Sequence, residues 1–259
     1  HFGLQCGKGL RELLFCGPNC TDHHPKEPLM NPLSSTVSDS GVVLSSSQRN
    51  NVLRNTYALL AISLVPTVLG AWLGVSTGLL KAMGAGMSTI LFLAGAFGFM
   101  FAIEKTKDSA KGVYLLLAFT FFMGLMMSRL IGQVLGLRNG ASLVMMAFGG
   151  TAAVFFAMAS LATVVKRDLS GMAKFLTVGA VIVFVAMLAN LFLQSSALML
   201  ALLVLCLGIF SAFMLYDIKR VMDGGETNYI SATLAIYLDI YNVFQSLLAL
   251  LGIFGGDRD

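Results

Sequence analysis

The chain has 259 residues, of which 57% are hydrophobic and only 12% are charged. Soluble domains carry about 25% charged residues, so this composition excludes an ordinary soluble protein and predicts an integral membrane protein. The formal net charge is only +4, and the basic residues lie between apolar runs rather than in one patch, which leaves nucleic-acid binding without support.

The first 50 residues are mostly polar, and we expect them to form a disordered tail. The stretch from Ser34 to Ser47 is rich in serine. The first methionine is Met30, so we interpret residues 1–29 as an extension from an upstream start, outside the functional protein.

Seven apolar runs follow the tail within residues 51–256. Each is long enough to cross a bilayer, since a spanning helix needs about 20 residues. Some breaks are so short that neighbouring helices must run antiparallel. The sequence therefore predicts an all-α integral membrane bundle of seven transmembrane helices. The runs cover 57–79, 83–103, 113–135, 141–165, 174–193, 197–218 and 229–254.

Positive charge is distributed unequally between the two sets of connections. Ten Lys and Arg residues lie on the side that shares the N-terminus, and three lie on the other side. The positive-inside rule then predicts a cytoplasmic N-terminus and an external C-terminus. The ten are Arg49, Arg54, Lys105, Lys107, Lys111, Lys166, Arg167, Lys174, Lys219 and Arg220, against Lys81, Arg138 and Arg258.

Small residues recur at four-residue spacing in the first span, at Gly70, Gly74 and Gly78. Such stripes let helix backbones approach closely in a bilayer. We expect them to pack within the chain rather than to form a dimer face.

Two carboxylates lie inside the apolar runs. Asp217 is near the cytoplasmic end of span six, and Asp239 lies about ten residues into span seven. A central Asp costs about 2.5–3.5 kcal/mol on insertion scales, against a folding free energy of about 5–15 kcal/mol. Such an acid must face the bundle interior, a partner or water, so we interpret both acids as candidate functional residues.

The connection between spans six and seven, "DGGETN", predicts a tight hairpin, because its glycine pair permits positive φ. Thr227 or Asn228 can cap the helix that follows. In ideal straight helices the depths of the two acids differ by roughly 8 Å. The spacing alone therefore does not establish a contact between them.

If the two acids meet, they cannot both ionise cheaply in a low-dielectric site, and they share a proton. Protonated, they hydrogen-bond across the helices; deprotonated, they repel each other and attract a cation. Carboxylate oxygens suit calcium, which takes about six to eight oxygen ligands, so water and backbone carbonyls would complete a site at Asp217 and Asp239. The alternative is that Asp239 only hydrogen-bonds neighbours such as Tyr237, Tyr241 or Asn242.

Weaker signals come from four other polar residues within the spans. Arg129 lies about six residues from the outer end of span three, where its side chain can snorkel to the headgroups. We include the others as supporting polar residues of the gate: Asn190, Tyr237 and Asn242.

Several segments resemble the Bax inhibitor-1 (TMBIM) family, and within it the bacterial YccA-like branch. The specific motifs are "YDIKRVMDGGETNYI" from Tyr216 and "YLDIYNVFQSLLALLG" from Tyr237. Supporting stretches are "LRNTYALL", "GVYLLLAFTFFMGLMMSRLIG", "FGGTAAVFF" and "ANLFLQ". The resemblance covers about residues 50–255.

The resemblance implies seven spans with the last helix near the centre. It also implies a calcium leak whose aspartyl pair lies on spans six and seven, at the positions of Asp217 and Asp239. Family members can close this pair with an Arg on span two, which residues 83–103 lack; Arg129 is a weak substitute. The YccA-like branch further implies a membrane-bound AAA quality-control protease as partner, contacted by the cytoplasmic N-terminus.

The sequence therefore predicts a pH-sensitive calcium leak of the bacterial inner membrane, with no bound cofactor and with calcium as the transported ion. The alternative is a regulator that binds a membrane-bound AAA protease through the segment from Met30 to Asn50. An enzyme is not expected, because all three histidines lie in the tail and neither Asp lies in a GxGD setting.

Overall fold

The computed structural model describes residues 46–255, apart from the side chains of Ser46, Ser47, Lys81 and Ala85. Seven of the described helices are long and apolar enough to cross a membrane. This confirms the predicted all-α fold with seven spans. The helices are α1 (Ser46–Thr77), α2 (Leu79–Ala82), α3 (Ala85–Thr106), α4 (Ala110–Leu135), α5 (Gly140–Val164), α6 (Ser170–Leu193), α7 (Ser196–Met222) and α8 (Tyr229–Gly255).

The structure departs from the expected organisation most clearly at two places. Residues 46–50 of the predicted tail belong to α1, while the predicted start extension and the rest of the tail lie outside the described residues. The four-residue helix α2 was not predicted. It is set off from its neighbours by Gly78 and Gly84, whose positive φ angles of 63° and 73° favour glycine.

Helix α8 lies at the centre of the bundle, as expected. It packs against α1, α4, α5 and α7, whereas α3 packs mainly on α4, and α6 mainly on α7. Its buried side chains include Ile236, Tyr237 and Val243, which join Phe119 of α4 in the main hydrophobic core. A polar residue on the inner faces of α8 is therefore shielded from lipid by neighbouring helices.

Helices α1 and α4 touch through their backbones. A Cβ atom added at Gly70 would lie 2.1 Å from the Phe121 carbonyl oxygen, and one added at Gly74 would lie 2.3 Å from Ser128 Oγ. Gly78, by contrast, has no atom within 4 Å of that position. The first two glycines of the predicted stripe thus serve packing within the chain.

The helix connections form two ends of the bundle. We call the end with the α3–α4, α5–α6 and α7–α8 connections the basic end, because the predicted excess of Lys and Arg lies there. Asn228 Nδ2 ties two of these connections together by donating to the Lys107 carbonyl and to Asp108 Oδ1, at 3.0 and 2.9 Å. The Lys107 ammonium donates to Glu104, and this bond raises the pKa of Lys107. The cytoplasmic placement of the basic end remains a prediction.

Candidate functional site

The structure brings Asp217 of α7 and Asp239 of α8 together. Their carboxyl groups lie within hydrogen-bonding reach of each other. Asp239 is buried, with 4% of its surface exposed, whereas Asp217 is partly buried. The axial offset expected of ideal straight helices therefore does not prevent this contact.

A hydrogen bond between two carboxyl groups requires a proton on one of them. The Oδ2 atom of Asp239 is buried, and no described residue donates a hydrogen bond to it. A buried oxygen without a donor is unfavourable and uncommon in folded proteins. The contact therefore combines poor solvation with two like charges, the setting in which acids share a proton.

Asp217 is the member of the pair that lies closer to other charges. Its carboxyl group interacts electrostatically with both Arg220 and Glu226. These two residues form an ion pair at 3.3 Å between Arg220 Nη2 and Glu226 Oε2. A second ion pair joins Lys219 Nζ and Asp223 Oδ1 at 2.7 Å. Within the described part of the chain, the electrostatic interactions of Asp239 are with Asp217.

The tyrosines of α8 point toward other helices. The Tyr237 hydroxyl lies 2.9 Å from Thr67 Oγ1 of α1, and the Tyr241 hydroxyl donates to the Met123 carbonyl of α4 at 3.4 Å. Asn242 Nδ2 donates within its own helix to the Leu238 carbonyl at 2.8 Å. These neighbours therefore do not supply the hydrogen bond to Asp239 that the alternative interpretation required.

The remaining supporting residues lie elsewhere in the bundle. Asn190 Oδ1 accepts from the Ser195 amide at 3.1 Å, in the turn between α6 and α7. Arg129 Nη1 donates to Ser88 Oγ of α3 at 2.9 Å, so it bonds to a neighbouring helix instead of only snorkelling. No hydrogen bond between described residues joins Arg129, Asn190, Tyr237 or Asn242 to the aspartyl pair.

No group of three or more His, Cys, Asp or Glu side chains converges within the described residues. Calcium takes about six to eight oxygen ligands. The two carboxyl groups can therefore supply only part of a calcium shell, and an ion that pauses at them would keep water or bind backbone carbonyls.

Residues 49–256 match the family model described as inhibitor of apoptosis-promoting Bax1. The chain belongs to the Bax inhibitor-1 family. This Bax inhibitor-1 protein is 36% identical over 228 residues to a protein of Escherichia coli K12 named modulator of FtsH protease YccA. The match covers 88% of the chain and all of the relative. It confirms the predicted YccA-like branch.

Other bacterial relatives match a similar share of this chain. A protein of Neisseria meningitidis serogroup A is 39% identical over 212 residues, which are 81% of this chain and 93% of the relative. A protein of Pseudomonas aeruginosa is 36% identical over 218 residues, which are 84% of this chain and 96% of the relative. A further relative from Escherichia coli O6:H1, at 36% identity, is named inner membrane protein YccA.

Sequence reasoning missed two hydroxyl contacts between helices of the bundle. Thr67 and Ser88 bond to Tyr237 and Arg129 across helix interfaces. The available signal was that each is a hydroxyl residue inside or at the edge of an apolar run. Such residues are common in membrane helices, where they can bond to their own backbone. Their partners on other helices could therefore not be predicted from the pattern.

Proposed function

We propose that this protein is a proton-sensitive calcium leak of the bacterial inner membrane, gated by Asp217 and Asp239. The main support is the contact between the two carboxyl groups, with Asp239 Oδ2 buried and without a donor. An acid in the middle of a spanning helix costs about 2.5–3.5 kcal/mol on insertion scales. A role in ion passage would explain why an acid occupies this unfavourable position.

The gate works through the protonation of the pair. With one proton shared, a hydrogen bond holds α7 to α8 and the passage is closed. When that proton leaves, two carboxylates face each other in a medium of low dielectric, so they repel and attract a cation. Calcium suits these oxygens, and water and backbone carbonyls complete its shell during passage. The proposal assigns the chain no catalytic step.

Calcium flux in proteoliposomes tests this gate. A calcium indicator trapped inside follows passive entry at pH values from about 5.5 to 8. We expect the wild type to show a pH-dependent flux and both Asp217→Asn and Asp239→Asn to lose that dependence, because one acid beside an amide cannot form the pair of repelling carboxylates.

The matched control is Asp223→Asn, which removes an acid at the same end of the bundle that pairs with Lys219 instead. This variant should keep the pH profile of the wild type. A wild-type flux no higher than that of protein-free liposomes would reject the leak. A pH dependence that survives in both pair variants would reject the gate.

A second candidate function rests on the Escherichia coli relative named modulator of FtsH protease YccA. We propose that this chain also binds and restrains a membrane-bound AAA protease. The proposed contact is the segment from Met30 to Asn50, of which only the last residues are described. This role requires a protein surface and does not require the aspartyl pair.

Co-reconstitution with an FtsH-type protease and a membrane substrate separates the two functions. Deletion of residues 30–45 leaves α1 intact and should abolish the slowing of substrate turnover. Asp239→Asn should slow turnover as the wild type does. Equal turnover with and without the wild-type protein would reject this role, and a loss of slowing only in Asp239→Asn would assign it to the pair.

A further inference from the structure

A second polar site lies between α3, α4 and α8, toward the end opposite the basic end. It is a cavity of about 220 Å³. Its polar lining consists of Ser88, Thr89, Arg129, Gln133, Tyr241 and Gln245. Apolar side chains from α2, α3 and α4 complete the wall, so the cavity combines hydrogen-bonding groups with a hydrophobic surface.

Arg129 brings a positive charge to this cavity. Its Nη1 donates to Ser88 Oγ at 2.9 Å, and Ser88 Oγ donates in turn to the Gly84 carbonyl at 2.8 Å. No lining residue is acidic, and none of the ion pairs between described residues includes Arg129. Because a guanidinium has five N–H donors, one bond to a neutral hydroxyl leaves most of its hydrogen-bonding capacity for a ligand.

Two side-chain amides add further donors. Gln133 lies one turn beyond Arg129 on the same face of α4, and Gln245 faces the cavity from α8. Each amide offers two N–H groups. A guanidinium with two amides, in a cavity without a carboxylate, is complementary to an oxyanion, because charge-assisted hydrogen bonds to a cation are among the strongest in proteins.

The depth of the cavity suits a lipid headgroup. Ser88 is the fourth residue of α3, so it lies about 5 Å from the start of that helix. A guanidinium this close to a helix end can reach a phospholipid phosphate, because a long basic side chain can extend toward the headgroups. The apolar wall of the cavity can accommodate the hydrophobic part of such a molecule.

We propose that Arg129, Gln133 and Gln245 bind a phosphate oxyanion in this cavity. The phosphate comes from the headgroup of an anionic phospholipid or from inorganic phosphate in the aqueous phase. This site does not depend on the aspartyl pair, and it holds whether or not the protein conducts calcium.

Native mass spectrometry of the full chain in detergent tests the site with three probes. Phosphatidylglycerol presents a phosphate, diacylglycerol with the same acyl chains lacks it, and inorganic phosphate lacks the chains. We expect Arg129→Gln to weaken phosphatidylglycerol binding about tenfold. Arg138→Gln, which removes an exposed positive charge at the same end, should bind as the wild type does.

The three probes separate the sources of the phosphate. Thermal unfolding is measured alongside. If inorganic phosphate raises the unfolding temperature of the wild type but not of Arg129→Gln, the site binds free phosphate without a lipid. If only phosphatidylglycerol shows the Arg129 dependence, the ligand is a lipid. Should Arg129→Gln fail to fold, Gln245→Leu replaces it, with an expected weakening of about threefold. The proposal would be overturned if the folded cavity variant bound phosphatidylglycerol as tightly as the wild type does and also bound phosphate as tightly as the wild type does.

Discussion

Gly124 of α4 lies directly against Thr67 of α1. A Cβ atom added at Gly124 would lie 2.0 Å from the Thr67 carbonyl oxygen, closer than real Cβ contacts allow. Because both contacting groups are backbone, neither can move aside without shifting a helix. The packing of α1 on α4 therefore depends on the absence of a side chain at this position.

Gly124→Ala should lower the free energy of unfolding by about 1–3 kcal/mol, the usual range for overpacking. Gly132 lies on the same helix, and a Cβ atom added there would have no other atom within 4 Å. Gly132→Ala should therefore stabilise the protein by about 0.5–1 kcal/mol, since alanine loses less backbone freedom in a helix. Unfolding by SDS titration from mild detergent measures both, and shifts of the same sign would contradict the close contact.

Tyr237→Phe tests the hydroxyl contact between α8 and α1. The Tyr237 hydroxyl lies 2.9 Å from Thr67 Oγ1 in the buried core. Its removal should lower the free energy of unfolding by about 1 kcal/mol. Tyr114→Phe is the control, because Tyr114 is 74% exposed and should change stability little.

A double-mutant cycle with Thr67→Val isolates the contact itself. The double variant should be more stable than the sum of the two single changes predicts, because each single change leaves one partner without the other. Additive effects would show that the two hydroxyls contribute independently.

The seven spans could be predicted from the sequence because each is a long apolar run that hydropathy alone identifies. The rotation of each helix about its axis could not. Helices that are apolar nearly all round carry no polar stripe to show which face is inward. For this reason the contacts of Thr67 with Tyr237, and of Ser88 with Arg129, were found only in the structure.

The aspartyl pair was partly predictable. Carboxylates are so rare within membrane segments that Asp217 and Asp239 were conspicuous by composition alone. Their contact was not derivable, because an axial offset of roughly 8 Å in ideal helices neither requires nor forbids it. Whether the two acids meet depends on the relative tilt and axial level of α7 and α8, which are set by packing across the whole bundle.

Asn228→Ala should destabilise the start of α8. The sequence left Thr227 and Asn228 as alternative caps, and the structure selects Asn228. Its Oδ1 accepts from the amides of Ile230 and Ser231 at 2.9 and 3.3 Å. We expect the free energy of unfolding to fall by about 1 kcal/mol, as for other lost N-caps, whereas Thr227→Ala should have little effect in the same titration.

Asn228→Asp separates the cap from the tie to the α3–α4 connection. Aspartate keeps the accepting oxygen but loses the Nδ2 donor that bonds to the Lys107 carbonyl and to Asp108. It also places a negative charge beside Asp108. We expect this variant to be destabilised with an intact helix start, visible as faster amide exchange in residues 107–109 rather than in residues 230–231. Faster exchange confined to residues 230–231 would assign Asn228 a capping role alone.

Asn190→Ala distinguishes a structural residue from a member of the gate. Asn190 Oδ1 accepts from the Ser195 amide at 3.1 Å, beside Gln194, whose φ of 49° is in the left-handed region. Loss of this bond should lower the free energy of unfolding by about 1 kcal/mol. The pH dependence of calcium flux per folded protein should match the wild type in this variant. A changed pH profile in Asn190→Ala would instead link the α6–α7 turn to the aspartyl pair.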